Sequence, residues 1–235
     1  MTRVISLGGS VVAPDKVDCL YLRRFVKLVE SLLAEDKTER FIIVAGGGGP
    51  ARAWQTAYRQ VSEALGAVTD DGQADWIGIM ATRLNAQLVK ALFGPCCADD
   101  VVIDPSAGTT ARIFTGRVLL AAGWKPGFSS DNDAVLLAKR FDSKTVINLS
   151  NIKKVYTADP KTNPQAKPID SISWEDFRAL TGDVWTPGRN IPFDPVASRN
   201  AREAGISVIC AAGGDLENLR QILRGGSYTG TLIHA

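Results

Sequence analysis

Three groups of residues in this 235-residue chain have the types and spacing to do chemistry. The first is a pair of glycine turns, Leu7-Gly8-Gly9-Ser10 and Ala45-Gly46-Gly47-Gly48-Gly49-Pro50-Ala51-Arg52, each following a short β-branched run. Glycine lets backbone approach an anion closely, and a helix N-terminus points N–H groups and a partial positive charge at it. Two such turns on neighbouring parallel strands converge on one sheet edge, where open α/β folds bind ligands. Arg52, one turn inside a helix expected to start at Pro50, adds a bidentate phosphate contact. A glycine turn can also serve only as a tight connection; four glycines in a row followed by Pro and Arg favour the anion.

The second group is Gly123 to Asp133, where Ser129, Ser130, Asp131 and Asp133 open a helix. The two serines can offer O–H and N–H groups to a transferring phosphoryl, with Asp131 expected to cap the helix; capping alone is the competing reading. The third runs from Lys139 to Lys167, with seven basic residues against two acids in a chain that is otherwise nearly neutral. Such positivity suits a polyphosphate, although a solvated surface is the ordinary role of any single Lys.

Other chemistries are poorly served. The one histidine, His234, lies beside the C-terminus, which leaves no His-centred triad or His-rich zinc site. Cys96 and Cys97 are adjacent while Cys19 and Cys210 stand apart, so neither a metal spacing nor a disulfide framework is present. No glycine loop continues into Gly-Lys-Ser/Thr, which excludes the Walker A pattern. Gly46-x-Gly48-x-x-Ala51 meets the loose dinucleotide fingerprint, but the acids about twenty residues on, Asp70, Asp71 and Asp75, fall in a loop or helix rather than after a strand. An oxidoreductase is therefore a minor reading.

These groups need elements to position them. Val4–Leu7, Arg40–Ala45, Val101–Ile103, Arg117–Ala121, Lys144–Leu149 and Ile206–Ala211 read as strands, several apolar throughout, as buried parallel strands are. Cys19–Glu35, Ala51–Leu65, Ala74–Phe93, Asn132–Phe141, Trp174–Leu180, Pro195–Ala204 and Leu216–Leu223 read as helices, with Asp18, Asp215 and Ser173 as N-caps. Gly230 to His234 reads as a last strand, and Trp54 and Trp76 as helix packing residues, with a partner interface as the lesser option. The alternation implies a doubly wound α/β sheet, and 45% hydrophobic residues suffice for its core. With 27 Lys+Arg against 25 Asp+Glu, a general nucleic-acid binder is not expected. Neither a membrane-spanning run nor a convincing signal peptide is visible, so the expected location is the cytoplasm.

Taken in order, the motifs resemble the amino acid kinase superfamily and, within it, the UMP kinases of archaeal type. The matching segments are Leu7 to Ser10, Ala45 to Arg52, Asp75-Trp-Ile-Gly-Ile79 with Thr82-Arg-Leu-Asn-Ala86, Gly123 to Asp133, Val155-Tyr-Thr-Ala-Asp-Pro160 and Asp194-Pro-Val-Ala197. The resemblance implies a three-layer αβα sandwich with a central, mainly parallel open sheet, in one domain spanning residues 1–235. An acceptor lobe would cover roughly 1–122 and an ATP lobe 123–235. It implies transfer of the γ-phosphoryl group of Mg-ATP to UMP and a homohexamer.

Carried over position by position, Gly8, Gly9 and Ser10 would face the transferred phosphoryl. Gly47, Gly48 and Arg52 would hold the UMP phosphate, Asp75 the ribose, and the Gly123 to Phe128 turn uracil, with Ser129 and Ser130 beside the acceptor. Asn151, Tyr156 and Asp159 would line the ATP site. Asp131, Asp133 and Asp194 are each able to contact Mg²⁺, with none of them singled out.

Two departures stand out. Many superfamily members carry Lys two residues before the first Gly-Gly, where this chain has Ser6, and an Asp-Gly of the family is here Lys153-Lys154. Lys153 or Lys154 is thus expected to supply the missing cation as a catalytic group. The alternatives are a phosphotransferase for another small acceptor, or a protein that binds or stores nucleotide without turning it over.

Overall fold

The structure, a computed structural model, describes residues 1–106, 114–182 and 191–235. Strands β1 (Thr2–Leu7), β2 (Arg40–Ala45), β3 (Val118–Ala121) and β4 (Thr145–Ser150) lie parallel. The hairpin pair β5 (Val155–Tyr156) and β6 (Pro168–Ile169) stands apart from the main sheet. β7 (Ser171–Ser173), β8 (Ser207–Ala212) and β9 (Thr231–His234) complete a seven-stranded sheet of order β3-β2-β1-β4-β8-β9-β7, in which β9 runs antiparallel to β8. Val101–Ile103, expected as a strand, makes only a single bridge from Val102 to Ala121, because Asp104 and Pro105 end the extended run at once.

Side-chain alternation divides the core into two faces. Ile5, Leu7, Phe41, Ile43, Ile147 and Leu149 meet α2 (Cys19–Glu35) and α8 (Leu216–Arg224) on one side. Val4, Ile42, Val44, Val146 and Val208 meet α5 (Ser130–Arg140), α6 (Trp174–Thr181) and α7 (Pro195–Glu203) on the other. The architecture is thus helix, sheet, helix. Asp18, Ser173 and Asp215 cap α2, α6 and α8 as expected, each accepting a first-turn amide.

Ser6 and Asn148 break the second apolar face. They pair across β1 and β4, both buried, near the strands' C-terminal ends. A polar pair there, opposite α5, marks where the core gives way to the site.

Two further helices, α3 (Gly48–Ala64) and α4 (Asp71–Phe93), pack on each other at the β3 side. α4 sends Val89 and Phe93 into the core, whereas α3 buries only Gly49 and Ser62. Trp54 and Trp76, expected as packing residues, are 69% and 40% exposed. They lie on the outward faces of this helix pair, beyond the reach of the sheet.

Candidate active site

The first turn is shaped by contact with the second. After β1, Gly8 donates its amide to Leu149 O at 2.8 Å, and the chain enters a single helical turn, α1 (Gly9–Val12). A Cβ on Gly9 would lie 2.0 Å from Gly48 N, and one on Gly48, whose φ is +68°, would lie 2.3 Å from the carbonyl oxygens of Gly9 and Ala13. The two turns touch backbone to backbone, which only glycine permits. α3 therefore starts at Gly48 rather than at Pro50, and Gly49 N donates to Ala13 O at 2.8 Å. Behind the second turn the buried Asn85 of α4 donates to Gly46 O and Gly47 O at 2.8 and 3.1 Å. Arg52 lies exposed at the rim, its guanidinium donating to Pro14 O.

The third turn follows β3. Thr82 Oγ1 accepts Gly123 N at 2.8 Å, and Arg83 donates to Gly123 O and Trp124 O at 3.3 and 3.0 Å. Asp75 Oδ2 accepts Gly127 N at 3.0 Å. The side chain expected to hold a ribose thus also braces the turn expected to meet the base. The Lys125 ammonium lies 3.9 Å from the Trp124 ring centroid and 5.0 Å from that of Phe128. A cation over aromatic faces is an attractive arrangement that gathers the turn's side chains.

Helix α5 then begins under Ser129, whose hydroxyl accepts Asn132 N. Ser129 is the cap, correcting the role expected for Asp131. Asp131 instead turns inward: Oδ1 accepts the Ser6 hydroxyl at 3.0 Å and Oδ2 the amide of Asp194 at 3.3 Å. Asp194 itself caps α7, accepting Ala197 N at 2.7 Å. Burial, reinforced by the Asp194 carboxylate, pushes Asp131 up to about 6, and burial pushes Asp133 up to about 7. Asp194 is raised as well, again by burial. The N-terminus of α5 thus sits against the end of β1, two residues before the first glycine turn.

Downstream of β4 the expected nucleotide residues divide. Ser10, Asn151 and Lys153 line one cavity of about 600 Å³, which also reaches Asp18, Tyr21 and Asp215. The carboxylates of Asp18 and Asp215 are engaged as helix caps. Lys154 does not reach that lining; its ammonium pairs with Asp170 on the next strand connection. Tyr156 and Asp159 belong to the β5–β6 hairpin region, outside the cavity, and Asp159 Oδ1 accepts Lys161 N at 2.9 Å to close a local turn.

Thr82, Arg83 and Asn85, all in the Thr82 to Ala86 segment, take structural roles that the sequence did not assign. Their signal was spacing: three polar residues in one turn of a helix that otherwise presents apolar side chains to β2 and β3. Among the described residues no three His, Cys, Asp or Glu side chains gather as a metal site, and no helix is long and apolar enough to cross a membrane.

Comparison with known proteins follows the same lines. The family model described as the amino acid kinase family matches residues 1–212. The chain is 31% identical over 233 residues to the uridylate kinase of Methanospirillum hungatei JF-1, covering 99% of this chain and 94% of that protein. It is 34% identical over 223 residues to the uridylate kinase of Thermoplasma volcanium, covering 94% and 92%. The crystal structure of uridylate kinase from Archaeoglobus fulgidus matches with a TM-score of 0.78 at 28% identity, over 99% of this chain and all of that one. The UMP kinase of Bacillus anthracis shares the fold, with a TM-score of 0.76 at 20% identity over 99% of this chain and 95% of that one.

Proposed function

The chain belongs to the amino acid kinase family, and from that premise we propose that it transfers the γ-phosphoryl group of ATP to UMP, giving UDP and ADP. The observation that carries this reading is the meeting of three turns. Two glycine turns touch at Gly9 and Gly48, and the Gly123 to Asp131 segment closes on the end of β1 through the Ser6–Asp131 bond.

In this reading the backbone of Gly47 and Gly48 and the Arg52 guanidinium hold the UMP phosphate. Asp75 and the Gly123 to Phe128 turn hold the nucleoside, and Ser129 and Ser130 flank the acceptor oxygen. Gly8, Gly9 and Ser10 face the transferred group, with Gly8 serving through its lack of a side chain because its amide is engaged by Leu149. Ser10, Asn151 and Lys153 follow the ATP phosphates along the cavity; Tyr156 and Asp159 lie further out, toward the adenosine. Residues 1–122 form mainly the acceptor lobe and 123–235 the ATP lobe.

The acceptor is a phosphate oxygen that is already anionic near neutral pH, so no general base is required. Catalysis is positioning and charge stabilisation of an in-line transfer without a covalent enzyme intermediate. Mg²⁺ fits the donor set: Asp131 and Asp194 offer hard carboxylate oxygens at the strand ends, and an ion held mainly by phosphates and water needs few protein ligands. Bound there, it would neutralise charge on the transferred group. The residues' own task is to keep both carboxylates in place through Ser6 and the two helix starts.

The exposed apolar side chains of α3 and α4 support a homo-oligomer, a hexamer by family likeness, and free cysteines fit a cytoplasmic location. The test is ADP release from Mg-ATP with a panel of nucleoside monophosphates and small acids. Release that depends on UMP supports the reading. Release only with another acceptor transfers the site to that substrate, and ATP binding without release shows a non-catalytic binder.

A further inference from the structure

The acceptor turn is braced from two directions, and only one of them has a role so far. Thr82, Arg83 and Asp75, all on α4, hold Gly123, Trp124 O and Gly127. The remaining brace comes from α5: Asp133 Oδ2 accepts the Trp124 amide at 3.2 Å. Asp133 is 1% exposed, and its other oxygen, Oδ1, is buried with no hydrogen-bond partner among the described residues. Among the described residues the carboxylates of Asp131, Asp194 and Asp104 face it. A carboxyl group in such a place is costly, since burial of an unpaired polar atom and crowding by like charges both act against it. An apolar residue would pack there without that cost, as Ala134 and Val135 do beside it.

We propose that Asp133 is a positioning residue for the acceptor nucleoside: it ties the turn at Trp124 to the helix that carries Ser129 and Ser130. The bond sets the distance between the base-facing turn and the phosphoryl-facing serines, two parts of the same substrate's site. Asp133 sits one helical turn beyond Ser129, with its amide on Ser129 O at 3.1 Å, so any shift of the turn is felt at the start of α5. The inference rests on the reading of this turn as the acceptor site. It adds a residue to which neither the resemblance nor the α4 braces assign that task.

The test compares Asp133→Val, which removes the acceptor of the Trp124 amide, with Asp133→Asn, which keeps one. Steady-state kinetics should show the KM for UMP raised at least about tenfold in Asp133→Val, with the KM for ATP within about twofold. Asp133→Asn should restore the KM for UMP. Hydrogen exchange in the unliganded protein should show faster exchange confined to residues 123–130 in Asp133→Val. An unchanged KM for UMP, equal losses for both substrates, or unchanged exchange in the turn would each overturn the proposal. A wild-type protein that turns over a different acceptor would overturn the UMP reading alone, since the exchange readout does not depend on the acceptor.

Discussion

At the scale of single residues, the site replaces one familiar device with another. Ser6 stands where many superfamily members place a cation, and its hydroxyl donates to Asp131 instead. Lys153 lines the cavity with Ser10, whereas Lys154 is engaged by Asp170, so the proposed reading gives the positive charge near the nucleotide to Lys153. Lys153→Ala should therefore lower kcat by about tenfold or more, in the range of a lost charged contact to the transition state, while Lys154→Ala leaves kcat within about twofold. Steady-state turnover of both variants checks this; equal losses would show that the two lysines act together.

The buried carboxylates give a second prediction at this scale. The folded pKa of Asp133 is raised to about 7 from an ordinary value of 3.8. The folded state therefore binds the proton more tightly than the unfolded one, and the site's stability contribution is complete at low pH and lost as pH rises through 7. Asp133→Asn removes that loss. Thermal melts in chelator should show the variant gaining on the wild type between about pH 4 and pH 7 and levelling off above, by up to about 4 kcal/mol for a shift of roughly three units. A difference that does not change with pH would contradict this origin.

At the scale of elements, the contact between the two glycine turns organises everything else. Gly9→Ala forces a Cβ against Gly48 N, so it should cost about 1–3 kcal/mol or more and abolish most activity. Gly72→Ala, early in α4, where the nearest atom is Asp70 Oδ1 at 3.0 Å, is the matched control and should be close to neutral. Denaturant titration of both variants decides it. The turns themselves were legible in the sequence, because four glycines after a β-branched run have few other uses. The boundaries of α2 agree to the residue, because Asp18 is a strong cap and the apolar stripe that follows is regular.

What was not legible depends on pairing between distant segments. Asp131 looked like a cap because it lies beside a helix start, but Ser129, two residues earlier, caps it and the buried Ser6 draws the carboxylate inward. Val101–Ile103 has strand composition yet lacks a second residue able to continue the ladder at the sheet edge. Lys153 and Lys154 are neighbours in sequence, and only the fold shows that one faces the cavity and the other Asp170.

At the scale of the whole molecule, the unexplained surface is the outer face of α3 and α4. Trp54, Val61 and Leu65 follow one another at spacings of seven and four, Trp76, Met80 and Leu84 at four and four, and all six are exposed. Stripes of that kind are the seams of helix packing, here without a partner among the described residues. Sedimentation of the wild type should show an oligomer, and the double variant Trp54→Glu with Leu84→Glu should shift it to a smaller species. A wild type that sediments as a monomer at micromolar concentration would remove the oligomer from this account.

The proposed reaction is a direct transfer between two nucleotides held by three turns. It is tested most directly by following the terminal phosphate of γ-labelled ATP in the presence of UMP. The label is expected in the β-phosphate of UDP, one for each ADP formed, with none retained on the protein. ADP formed without labelled UDP, or label left on the chain, would contradict it.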